Sequence, residues 1–172
     1  MSKLKKCIKW MVLATVAVAV AVWVYNWYST SSFVQPNKEK TEKFLQQDKE
    51  DLFVIFDYLS NSEYLNITID RDHLEKGIMF ADMEEQKIED KTVIKALENL
   101  LDGRKYVSVG KSENTVFFEK WRFGERARGI AVPVNKNLKP VVEFLVNYEL
   151  LSKEGWYYYE ADYGEYRLQS GY

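Results

Sequence analysis

From Trp10 to Tyr28 the chain carries no charged side chain, and between Met11 and Tyr25 nothing is more polar than Thr15. The valine–alanine alternation inside this run has the period of a strand but no polar face, so it does not describe a half-buried strand. As a helix rising about 1.5 Å per residue, residues 10–28 would span roughly 28 Å, close to the hydrocarbon thickness of a bilayer. Trp10 stands at one end of the run, and Trp23, Tyr25, Trp27 and Tyr28 stand at the other. Amphipathic rings collect at these two depths, where headgroups meet water. The pattern predicts a transmembrane helix over 10–28 with these five aromatics at the membrane interface.

Beyond this run the periodicity changes. Residues 29–37, "STSSFVQPN", read as a polar linker ending near a proline, with Asn37 placed to cap a helix. From Lys38 to about Leu59 the apolar positions Phe44, Leu45, Leu52, Ile55, Phe56 and Leu59 recur at helical spacing, and the other side is dense in Lys, Glu and Gln. Leu65, Ile67 and Ile69 then alternate with polar neighbours as a half-buried strand does. "GIMFADM" suggests a second strand. Asp90 to Asp102 reads as a helix with Asp90 as its cap and Gly103 as its stop.

The remainder is strand-like. "RKYVSVG" and "TVFFEKWRF" flank a hairpin-length loop at Lys111–Asn114, and Pro133 in "GIAVPVN" marks a strand edge or end. Val142, Phe144, Val146, Tyr148 and Leu150 alternate with polar residues, favouring a strand, although Val141, Leu145 and Tyr148 also suit a helix. A turn over 152–155 leads into "WYYYEA". Helices early and strands late imply an α+β domain over 38–172, with two main helices packed on a mainly antiparallel sheet.

Charge adds a direction. Lys3, Lys5, Lys6 and Lys9 precede the apolar run, and no acid occurs before Glu39. A basic flank is retained in the cytoplasm, so residues 1–9 are expected inside and the domain outside the cell membrane, as a single-pass protein. All 26 acidic residues belong to the part beyond the span. That balance argues against nucleic acid as a partner. The alternative for the N-terminus is a cleaved signal peptide, for which Ala19-Val20-Ala21 offers a small-x-small site. Cleavage there would leave Val22-Trp23-Val24-Tyr25 as an apolar new terminus, which favours an uncleaved anchor.

The one cysteine, Cys7, lies before the apolar run, so no intrachain disulfide is possible and the external domain has no thiol nucleophile. The one histidine, His73, stands beside Asp70 and Asp72, a set too local to close a metal site without further ligands. Asn66-Ile67-Thr68 matches a glycosylation acceptor within a strand, read here as coincidence. No phosphate-binding loop, nucleophile elbow or dinucleotide fingerprint occurs. The sequence therefore assigns no catalytic residue, no metal ligand and no cofactor.

Two groups offer contact chemistry. Arg122, Arg126 and Arg128 in "KWRFGERARG" carry planar forks suited to carboxylate or phosphate groups. Trp156 and Tyr158 share one face of "WYYYE", where aromatics could form a stacking surface. The stretch "RARGIAVPVN…PVVEFLVNYELLSKEGWYYYEADY", with the basic start and apolar span, resembles small single-pass membrane-anchored proteins of Gram-positive bacteria that have no known function. The resemblance implies a source and a location but no activity. The expected function is a membrane-anchored extracytoplasmic binding or assembly module for a protein partner or an envelope polymer, not an enzyme. The alternative is an extracytoplasmic hydrolase using carboxylates, metal-assisted at Asp70, Asp72 and His73.

Overall fold

The helical spacing after Asn37 folds as helix, but in two pieces. The computed structural model describes residues 2–30, 35–140, 142–152 and 154–164; side chains are described within these except at 2–9, 26 and 28–30. The chain divides into two units, Met1–Gln35 and Pro36–Tyr172.

The first unit holds helix α1, Ser2–Thr30. Its described side chains run from Trp10 to Tyr25, with Trp27, and are exposed throughout. Trp10, Trp23, Tyr25 and Trp27 are among them, whereas the side chain of Tyr28 lies outside the described residues. Among the described residues no helix is long and apolar enough to cross a membrane.

The second unit is α+β, with helices and an eight-stranded antiparallel sheet. α2 spans Lys38–Gln47 and α3 spans Lys49–Ser60. Asn37 caps α2 by accepting from the Lys40 N–H at 2.9 Å. The single helix expected here breaks at Asp48, whose backbone leaves helical angles at φ −106° and ψ 10°. The hydrogen bonds Asp48 N–H to Phe44 O and Leu52 N–H to Asp48 O persist, so the break is a kink and not an end. Its cause is tertiary. Asp48 is buried, its Oδ2 accepts from the Tyr106 hydroxyl at 3.0 Å, and Arg104 Nε lies 3.1 Å from Oδ1. A buried carboxylate is stable only where such partners meet it, and the helix bends to deliver it.

β1 (Asn66–Asp70) leads into a short helix, α4 (Arg71–Glu75), then into the hairpin β2 (Ile78–Ala81) and β3 (Glu84–Lys87). The sequence did not signal β3, because "EEQK" has no apolar alternation. The β2–β3 turn is made by Asp82 and Met83 at φ 43° and 73°. Both central residues of such a two-residue turn need positive φ, a position usually filled by Asn or Gly. Asp82 is held there because its carboxylate accepts from the Leu65 and Asn66 N–H groups, which also hold its pKa below the usual aspartate range. α5 (Lys91–Glu98), capped by Asp90 as expected, ends in a π-helical turn over Asn99–Gly103.

β4 (Ser108–Ser112), β5 (Thr115–Phe123), β6 (Arg126–Pro133), β7 (Leu145–Ser152) and β8 (Trp156–Asp162) complete a sheet ordered β3-β2-β1-β4-β5-β6-β8-β7. Pro133 ends β6, where its missing N–H is harmless. Lys111 and Ser112 belong to β4, so the hairpin loop narrows to Glu113-Asn114. β7 is a strand, and it lies at the sheet edge with Val146, Tyr148 and Leu150 exposed.

One face of the sheet carries the main core. Leu52, Ile55 and Leu59 of α3 and Leu97 of α5 are fully buried with Ile69, Val116, Phe118 and Ile130. Each such side chain contributes about 1.5–3 kcal/mol through burial. The opposite face, hereafter the open face, holds only a smaller cluster of Phe117, Ala127, Ala131, Tyr159 and Ala161.

Candidate functional site

Strand register places every open-face side chain in a row. Ser108 pairs with Glu119, Glu119 with Gly129, Gly129 with Tyr159, and Tyr159 with Tyr148. The neighbouring row runs Thr68, Gly110, Phe117, Ala131 and Tyr157. Each row contains one glycine that no other residue can replace. A Cβ on Gly110 would sit 2.6 Å from the Ile67 carbonyl oxygen, and one on Gly129 would sit 2.1 Å from the Phe118 carbonyl oxygen. Gly110 therefore leaves a gap between Thr68 and Phe117, and Gly129 keeps the space between Glu119 and Tyr159 free of any side chain of its own.

A pocket of about 420 Å³ opens over this part of the face. Its polar wall comes from β1 and β4, with Asn66, Thr68, Ser108 and Ser112. Its aromatic wall is a chain of ring contacts. Tyr159 meets Phe117 edge-on at 5.3 Å, Phe117 meets Phe144 at 5.2 Å, and Phe144 meets Tyr163 at 5.1 Å. Glu119, Arg122 and Glu125 also line it.

Glu119 is buried although it is charged. Arg122 grips both its oxygens, Nε to Oε1 at 2.6 Å and Nη2 to Oε2 at 2.7 Å, and the Tyr163 hydroxyl donates to Oε2 at 3.2 Å. The guanidinium lies 4.8 Å from the centre of the Tyr163 ring. The carboxylate bond raises the Arg122 pKa above its already high value, so the guanidinium remains charged. Burial, then the nearby Glu119 charge, pushes Tyr159 and Tyr163 well above the ordinary tyrosine range. Both phenols therefore stay neutral and keep a proton to donate. Tyr163 spends that proton on Glu119. Among the described residues the buried Tyr159 hydroxyl has no hydrogen-bond partner.

A bulge creates the Glu119–Arg122 pair. Three residues apart in a regular strand would place the two on opposite faces. Lys120 is the extra residue: Glu119 pairs with Gly129 but Trp121 pairs with Arg128, and Arg122 returns to the open face opposite Ala127. The extra residue turns its ammonium toward the helices, 4.6 Å from the Phe44 ring and 4.2 Å from Tyr106, where it donates to the Arg104 carbonyl.

The arginines expected as one contact surface are thereby separated. Arg122 is on the open face, whereas Arg126 and Arg128 flank Ala127 and point to the helix face. Arg126 lies 3.6 Å from Asp162, and Arg128 lies 3.4 Å from Glu160. The expected aromatic surface of Trp156 and Tyr158 is also not a surface. Trp156 is fully buried against Phe53, Phe56 and Phe118, and Tyr158 is 3% exposed with its hydroxyl donating to Glu160 at 2.6 Å. Helices α2 and α3 cover that face, so the apolar side of "WYYYE" became core.

The Asp70, Asp72 and His73 set is resolved as a helix start. Asp70 caps α4 by accepting from the His73 N–H at 3.0 Å, and its Oδ1 lies 2.7 Å from His73 Nδ1. Among the described residues no group of histidine, cysteine and carboxylate side chains could hold a metal ion. Asn66 stands at the exposed start of β1, where its side chain accepts from Ser112 at 3.3 Å.

Apart from Arg122, which the sequence singled out, the pocket residues were missed because no motif marks them. Two signals pointed toward them: glycines interior to strands, at 110 and 129, and opposite charges three apart in "EKWR". Comparison with protein-family models, with curated proteins and with solved structures finds no match in any of the three.

Proposed function

We propose that this chain is a membrane-anchored extracytoplasmic binding module, held by residues 10–28 with its N-terminus in the cytoplasm, whose ligand site is the open-face pocket. The uncharged run and its lysine flank support the location. The observation that carries the site is the buried Tyr159 hydroxyl, unpartnered among the described residues, beside the Glu119–Arg122 pair. A buried polar group without a partner costs stability, so its retention points to a partner that arrives with a ligand. An envelope polymer is the partner that suits the proposed location.

One observation favours the hydrolase reading: two carboxylates, Glu119 and Glu125, line the same pocket. Against it, both Glu119 oxygens are already engaged. A carboxylate locked in a bidentate arginine pair is a poor base and a poor nucleophile.

The test uses the full chain in lipid nanodiscs, sedimented with isolated cell-envelope polymer. Wild type should enter the pellet. Thr68→Trp, which fills the pocket from an exposed position, should stay in the supernatant. Equal sedimentation of both proteins would remove the pocket from the reading.

A further inference from the structure

The hydrogen-bonding capacity left over in the pocket defines what it can bind. A carboxylate offers about four lone-pair sites and a guanidinium five N–H donors. Arg122 and Tyr163 occupy three of the Glu119 sites, and Arg122 spends two donors on Glu119 and another on the Tyr163 hydroxyl. Among the described residues an acceptor site and part of the guanidinium fork remain, in a pair whose charges cancel. The Tyr159 hydroxyl adds a donor with no partner among the described residues. Across the gap at Gly110, Thr68 and Ser108 add hydroxyls that both donate and accept, and Ser112, whose proton goes to Asn66, adds an acceptor. Phe117, Phe144 and Tyr163 supply apolar ring surface on the other side.

Resting on the pocket being the ligand site, we propose that its ligand is a neutral saccharide unit. A pyranose presents hydroxyls that each donate and accept, in a ring whose C–H faces are apolar. That matches a mixed donor–acceptor wall facing an aromatic wall. An anion such as a phosphate or uronate meets an Arg122 already neutralised by Glu119, while Lys111, the other cation of the lining, spends its ammonium on the Ser62 carbonyl at 2.7 Å. A cation would bring a charge to a site whose buried carboxylate is already bidentate. The glycines at 110 and 129 let the ring approach the sheet itself. Small, largely preformed pockets with a few placed polar groups are the usual form of such sites.

Tyr159→Phe separates a binding role from a structural one. Removing a buried hydroxyl that has no partner should leave stability unchanged or raised. The same change removes one hydrogen bond to the sugar and should weaken binding by about tenfold. The full chain is held in nanodiscs, since glycoside detergents would compete. Saturation-transfer NMR is recorded with tetramers of N-acetylglucosamine, glucose and mannose, with a galacturonate tetramer, and with a neutral tetrapeptide. Transfer to ring protons of at least one neutral tetramer, weakened in Tyr159→Phe and abolished in Thr68→Trp, is the expected result. Competition by the matching monosaccharide would show that one unit suffices. The saccharide proposal is overturned if no neutral tetramer shows transfer, or if Tyr159→Phe binds as wild type does. Binding of the uronate or peptide alone, lost in Thr68→Trp, would overturn the sugar and keep the pocket. Silence from every probe would overturn both.

Discussion

Arg122 holds Glu119 by two parallel hydrogen bonds of 2.6 and 2.7 Å across a strand bulge, so a nearly buried carboxylate is neutralised by an arginine whose outer half meets solvent. Removing one partner of such a pair is worse than never having had it, because the survivor keeps its desolvation cost. Arg122→Ala should destabilise the domain by about 2 kcal/mol, below the ~3–5 kcal/mol of a fully buried pair because water reaches Arg122. Arg126→Ala, at a pair with an arginine side chain 78% exposed, should change stability by less than about 0.5 kcal/mol. Urea midpoints of the two variants measure this. Equal effects would refute the separation of the arginines onto two faces.

Trp156 is predicted to be a core residue. Trp156→Ala should cost about 3–5 kcal/mol and lower the thermal midpoint. Tyr157→Ala, one position along and only half-buried on the other face, should cost much less. Calorimetry of both variants decides it; similar midpoints would place Trp156 outside the core.

Stability should fall steeply in base. Tyr106, Tyr158, Tyr159 and Tyr163 all have pKa values raised above the ordinary value of about 10, chiefly by burial. Their contribution is fully present below pH ~10, where both states keep the proton. Above it the unfolded chain ionises first, binds fewer protons than the folded one, and gains. Lys111 and Lys120, whose pKa values are lowered by desolvation, act oppositely: the unfolded state holds more protons as pH approaches ~10.4, so stability rises up to that range. The urea midpoint should therefore pass through a maximum just below pH ~10 and then drop, with these four of the twelve tyrosines ionising only on unfolding. Tyrosinate absorbance that reaches the full value for all twelve tyrosines while the protein is still folded would contradict this.

The topology makes its own prediction. Protease added to spheroplasts should digest the domain from about Lys38 onward and spare an N-terminal tag. Alkaline carbonate should fail to extract the protein from membranes. Full-length protein in the soluble fraction would defeat the proposed anchor.

Tyr106→Phe tests the kink. It removes the hydroxyl that meets Asp48 at 3.0 Å and should cost about 1–3 kcal/mol, because the carboxylate remains buried. Adding Asp48→Leu should recover part of that loss, since an apolar side chain needs no partner. Chemical denaturation of the single and double variants measures the recovery.

Much of the architecture was legible in the sequence because it is set within a few residues of chain. The alternation through Ile67 and Ile69, the caps Asn37 and Asp90, and Pro133 at a strand end follow from local sterics and solvation. What the sequence left open is decided by partners distant along the chain. Asp48 kinks its helix because Tyr106, 58 residues along the chain, and Arg104, just before it, wait to receive it. β3 forms from "EEQK" because β2 offers it an edge, not because its side chains demand one. Trp156 and Tyr158 are core because helices cover that face of β8, while Val146, Tyr148 and Leu150, with an equally apolar alternation, lie exposed at the edge. The pocket is the extreme case. It requires the register that aligns Ser108, Glu119, Gly129 and Tyr159 in one row, and the bulge at Lys120 that turns Arg122 onto that row's face. Local sequence determines which residues can form strands and helices; only the assembled sheet determines which of their side chains meet.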